Sequence, residues 1–194
     1  MRRIMEMTKQ MRIITAPLAV MLLAGPVARA DSLGTVQQLE AEILSSPSAT
    51  QALTARCARL HLADPAAIRA LRDRGVDQPA GPDIRRLLKV AAGEPVRYRR
   101  VRLSCGAQVL SDADNWYVPA RLTADMNAAL DGTETPFGMV VKPLNFQRRT
   151  LKTEALHDKS HVLRVTALLV DAQNRPFSLV QENYSRVLVG NGYP

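Results

Sequence analysis

Aromatic side chains are scarce in this chain: one Trp, four Tyr and three Phe among 194 residues. A core here must therefore be filled mainly by Leu, Val, Ile and Ala. Histidine and cysteine are scarcer still, three and two, and neither falls at a spacing that marks a metal centre. His157 and His161 stand four apart around "DKS" without a third ligand. Asp112, Asp114 and Asn115 resemble the start of a calcium loop but lack its glycine and distal glutamate. No Ser or Cys sits in a context that marks a nucleophile. No repeat, coiled coil or low-complexity tract is present, and no metal or cofactor is expected.

Long apolar runs are also missing. The longest, "IITAPLAVMLLAG", follows a basic start and precedes "ARA". It is too short to span a bilayer and has the three-part form of a secretory signal peptide. Residues 1–30 are read as that signal, residues 31–95 as an N-terminal helical part, and 96–194 as a sheet part of the same domain. The expected location is periplasmic or secreted, with no integral membrane segment after cleavage. Residues 1–30 carry five Lys/Arg and one Glu of the chain's 26 basic and 18 acidic residues, so the rest has a net charge of +4. That mild excess does not by itself imply nucleic acid. In an oxidising compartment Cys57 and Cys105 are expected to bridge. Closing a loop of about 49 residues stabilises a fold by roughly 4 kcal/mol in the chain-entropy model.

The first third has helical spacing. Ser32 precedes Leu33, Val36, Leu39, Ile43 and Leu44 at helical intervals, and "SPSAT" separates this from a stripe of Leu53, Cys57 and Leu60. "ADPAAIRALRDRG" reads as a helix capped by Asp64, opened by Pro65 and stopped at Gly75. "DIRRLLKVAAG" supplies another, closed by Gly93. From Val96 the period changes to two. "VRYRRVRLSC" and "SDADNWYVPARL" read as strands, with Pro119 at an edge or bulge. "TADMNAALDG" reads as a helix capped by Thr123, and "TPFGMVVKPLNFQRRTL" as a turn and a strand. "HVLRVTALLV" and "FSLVQENYSRVLV" form a hairpin across "DAQNRP". Helices first and strands afterwards indicate α+β with an antiparallel sheet.

Glu182 shares a strand face with Val180 and Tyr184, an unusual place for a carboxylate unless it meets a cation, moves a proton or lies at an edge. Alternation also divides the "RYRRVR" arginines between two faces, which favours a solvated face plus one inward arginine over a nucleic-acid surface.

The order "YRRVRL", "YVP", "TPFG", "RVTALLVDAQNRPFSLVQENY" resembles the chorismate lyase family over about residues 96–189. The ligand-sensing domains of bacterial transcription regulators share that fold. The resemblance implies an antiparallel sheet with flanking helices enclosing a small aromatic carboxylate. It further implies an arginine of the basic strand on the ligand carboxylate, a backbone N–H in the "P-hydrophobic-G" turn, and a glutamate on the last long strand. These fall on Arg99 or Arg100, on Phe137 beside Gly138, and on Glu182; Arg99 is preferred because it shares a face with Val101 and Leu103. Trp116, Tyr117 and Arg121 are not family hallmarks and look particular to a secreted branch. Trp116 and Tyr117 are read as core before pocket.

Three functions follow as expectations. The first is an exported module binding a small aromatic or carboxylated metabolite. The second is a cofactor-independent lyase eliminating pyruvate, with Arg99 orienting a carboxylate and Glu182 handling a proton. The third is an envelope interaction protein whose pocket is closed by Phe137 and Tyr117.

Overall fold

The computed structural model describes residues 35–189. The signal-peptide reading of residues 1–30, and Ser32 and Leu33, lie outside the described residues. Two helices lead: α1 (Val36–Ser45) and α2 (Ala49–Arg59). Thr35 caps α1 through a reciprocal box in which its hydroxyl accepts from Gln38 N and the Gln38 side chain accepts from Thr35 N. Val36, Leu39 and Ile43 turn inward, whereas Leu44 faces solvent. Ser48 caps α2, which buries Leu53 and Cys57 as the stripe predicts.

Next comes a correction. "ADPAAIRALRDRG" forms no helix: Ile68–Asp73 is a strand, β1, paired antiparallel with the basic strand β2 (Arg97–Cys105). Ile68 and Ala70 are buried while Arg69 between them is exposed. The free edge of β2 needs backbone partners, and that long-range demand overrides helix punctuation at Asp64, Pro65 and Gly75. The N-terminal part is thus not wholly helical.

The remaining elements are α3 (Pro82–Leu87), β3 (Gln108–Tyr117), α4 (Ala124–Gly132) and the short α5 (Phe137–Val140). They are followed by β4 (Gln147–Ala155), β5 (His161–Val170) and β6 (Pro176–Ser185). Thr123 caps α4 as expected. Pro119 lies at neither an edge nor a bulge: it opens a 3₁₀ turn just beyond β3, a central strand. The six strands form one antiparallel sheet in the order β1-β2-β3-β6-β5-β4.

Alternation gives this sheet two different faces. One carries Val101, Leu103, Ala113, Val165 and Tyr184 against α1 and α2. Toward its other end Tyr117, Leu169 and Val180 meet Leu130 of α4 and Phe137 of α5. The opposite face packs Trp116, Leu168 and Leu179 on Leu88 beyond α3. Trp116 is core, with its indole N–H donating to Gln78 O at 2.7 Å. The Cys57–Cys105 disulfide ties α2 to the end of β2, with Cα atoms 6.3 Å apart. That separation lies within the range a disulfide spans, so the bridge rests on the fold and needs no argument from location.

Candidate functional site

Glu182 lies on the face that carries α1 and α2, with Val180 and Tyr184 beside it as alternation requires. Its cation is not Arg99. Arg148, on edge strand β4, reaches across the sheet and places Nη2 2.7 Å from Glu182 Oε2. Tyr184 donates its hydroxyl to the same oxygen at 2.9 Å. All three side chains are almost fully buried. Burial pulls the Arg148 pKa down, but the Glu182 charge outweighs it and the net shift is upward, so the guanidinium stays charged. Burial, then the Glu182 carboxylate, pushes the Tyr184 phenol well above its ordinary value.

Arg99 faces the same side of the sheet. Its neighbours across the register are Asn115 on β3 and then Val180 on β6. Strand spacing separates it from Glu182 by roughly 12 Å at Cα. The side chain turns away, toward the end of α4, where Nε donates to Leu130 O at 3.2 Å and Nη2 to Thr135 O at 3.5 Å. Its Nη1 is buried without a partner. Burial, and then the charge of Arg72, pull its pKa down to about 10. Arg100 is on the opposite face, half-buried, paired with Asp114 at 3.3 Å. The expected Arg99–Glu182 pair is therefore not formed, and neither Arg99 nor Arg100 lines the hollow beside Glu182.

That hollow has a volume of about 30 Å³ and lies between the sheet, the N-terminus of α2 and α5. Of the residues singled out from the sequence, Phe137, Gly138 and Glu182 line it; Asn115, Thr50 and Arg148 line it without having been anticipated. Its apolar wall includes Val101, Ala113, Leu169 and Val180. Ser48, Thr50, Gly138 and Phe146 also border a second, wider groove of about 610 Å³, which adds Lys142 and Asn145 from the turn before β4. The hollow alone is sized for water or one small polar group, whereas the groove falls in the range of small-ligand sites. Gly138 matters to this junction: a Cβ there would come within 3.4 Å of both Ser48 Cβ and Thr50 Oγ1.

Sequence offered a partial signal for the missed residues. In "FQRRTL" two adjacent arginines on one strand must face opposite sides, so one of them turns inward. Which one depends on the β4–β5 register, where Arg148 is opposite Leu169. His161 Nε2 meets Asp112 at 2.8 Å and its Nδ1 lies 3.5 Å from Asp158. Among the described residues no group of three or more His, Cys, Asp or Glu is placed to hold a metal ion.

No protein-family model matches the chain. A curated relative, the uncharacterised protein y4mC of Sinorhizobium fredii, is 48% identical over 132 residues, covering 68% of this chain. The chain spans 56% of that relative's length. PhnF from Mycobacterium smegmatis superposes with a TM-score of 0.53 at 11% identity, over 76% of this chain and 67% of that one. A GntR-family transcriptional regulator from Bacillus cereus gives 0.43 at 12% identity, over 66% and 94%. The chain has the α+β fold of the chorismate lyase-like regulator domains.

These comparisons correct the expectation of a periplasmic or secreted location. The solved structures that the chain resembles are titled as PhnF and as its effector domain, and nothing in that likeness points to the periplasm or to secretion. They give no support to a secreted branch or to lyase activity.

Proposed function

We propose that this domain binds a small carboxylated molecule as a ligand-sensing module. The body of the ligand lies in the groove beside α2, and one polar end enters the hollow beside Glu182. The observation that carries this reading is the junction itself: a buried, hydrogen-bonded ion pair lines a small hollow that shares four wall residues with a groove of ligand size. A buried ion pair is weak evidence for stability. One that lines a void beside a mostly apolar groove fits the pattern of ligand pockets, with few polar groups on an apolar wall.

A lyase reading finds no comparable support. Arg99 is turned to α4, and Glu182 is already engaged by Arg148 and Tyr184.

Calorimetry and thermal shift with aromatic and aliphatic carboxylates test the proposal. Saturable binding to the wild-type domain is expected for at least one of them. Ala55 is exposed and borders the groove. Ala55→Trp should therefore abolish binding while changing stability by no more than about 0.5 kcal/mol. Binding that survives Ala55→Trp places the ligand elsewhere and overturns the proposal.

A further inference from the structure

The two edges of the sheet are managed differently. At one edge β1 is covered: Ala70 N donates to Glu134 O at 2.7 Å, and Arg69 and Arg72 hold the side chains of Glu134 and Asp131. At the other edge β4 is the last strand, with no further strand beside it among the described residues. From Arg149 to Ala155 its side chains are exposed or half-buried. An edge of this kind presents a row of unpaired N–H and C=O groups, which is a template for another strand.

The backbone phase says which residues are free to pair. Leu156 N donates to Val162 O. By alternation Glu154 with Arg164 and Lys152 with Thr166 are also hydrogen-bonded pairs of the β4–β5 ladder. Thr153 and Ala155 lie between them and aim N–H and C=O outward. Leu151 has no partner on β5 and bulges at the start of this regular stretch, 46% exposed. Lys152 and Glu154 flank Thr153 on the sheet face opposite the hollow, with Nζ 2.8 Å from Oε1. A lone lysine on an edge repels a second copy. A lysine and a glutamate placed symmetrically about an outward-facing residue do the reverse.

We infer that β4 is a pairing edge for a second copy of this chain, the two strands running antiparallel about a twofold axis at Thr153. In that register Thr153 exchanges hydrogen bonds with the partner's Thr153. Lys152 then stands opposite the partner's Glu154 in a non-hydrogen-bonded pair, Cα atoms about 4.5 Å apart, where side chains approach most closely. Together with the contact inside each strand, two lysines and two glutamates form a quartet of alternating sign. Leu151 comes opposite the partner's Ala155. A slip of one residue sets outward-facing backbone groups against inward-facing ones. A slip of two sets Lys152 opposite the partner's Lys152, or Glu154 opposite the partner's Glu154, and like charges directly opposite are destabilising. The charge pattern therefore selects one occupant and one register. This inference is independent of the ligand reading, since no residue of the hollow or groove enters it.

One short ribbon buries less than a standard interface, so the dimer is expected to form with rising concentration, between about 1 μM and about 1 mM. Sedimentation of the full chain over that range is the test. Lys152→Glu and Glu154→Lys should each raise the dissociation constant at least about tenfold, because each turns both cross-strand pairs repulsive. The double variant Lys152→Glu with Glu154→Lys should restore dimerisation, since the quartet is rebuilt with its signs exchanged. Thr153→Pro removes an N–H that β5 does not use and should leave a folded monomer. A wild type that stays monomeric throughout overturns the inference. So does a dimer that survives Thr153→Pro, which places the contact elsewhere, and so does a double variant no better than the single ones.

Discussion

At the scale of single residues the decisive contact is Arg148–Glu182. Removing one member of a buried pair leaves the other's charge without a counterion, so Glu182→Ala should cost about 3–5 kcal/mol, whereas Arg148→Met with Glu182→Leu should be close to neutral. Urea denaturation of the three variants checks the difference. The opposite face carries a half-buried phenol, Tyr98. Burial, then its hydrogen bond and proximity to Asp114, push its pKa up to about 12. A phenol raised in the folded state contributes stability that is complete below pH 10 and is lost as pH rises through 12. Thermal midpoints between pH 10 and 12 should therefore fall more steeply for the wild type than for Tyr98→Phe. The orientation of Glu182 was readable from alternation alone, as was the inward face of Arg99. The partner of Glu182 was not, because Arg148 comes from an edge strand two ribbons away and its reach depends on a register that no local pattern states.

Among the elements, those with a strong period and clear caps were legible: α2 with its Leu53–Cys57 stripe, α4 behind Thr123, and the hairpin of β5 and β6. β1 was not. "IRALRD" has apolar residues at 68, 70 and 71, compatible with either period, and its flanking Pro and Gly favour the wrong one. Pairing with β2 decides the matter, and pairing is information held elsewhere in the chain. The four-residue α5 was hidden for a related reason: a single turn has no periodicity to read, and it forms because Phe137 has an aromatic pocket to fill beside Tyr117 and Phe177. The disulfide joins two such elements. Cys57→Ser with Cys105→Ser should lower stability by roughly 4 kcal/mol in the chain-entropy model, measured by chemical denaturation. Wild type treated with reductant should match that variant.

On the scale of the whole molecule the α+β class followed from the order of helices and strands, and the structural neighbours share it. Strand order did not follow. β3 pairs with β6, bringing Asn115 beside residues some 65 positions later in the chain, and that crossover creates the hollow. The assignment of location rested on the first thirty residues alone, which lie outside the described residues, and the comparisons overturn it. One feature of the folded body has a mechanical outcome. Near its C-terminal end α2 is bolted to the sheet at Cys57, while its first turn forms the rim where hollow and groove meet. With about 12 Å between bolt and tip, and with Ala49, Thr50 and Leu53 buried along that length, the crosslink anchors the rod whose far end sets the doorway at Ser48.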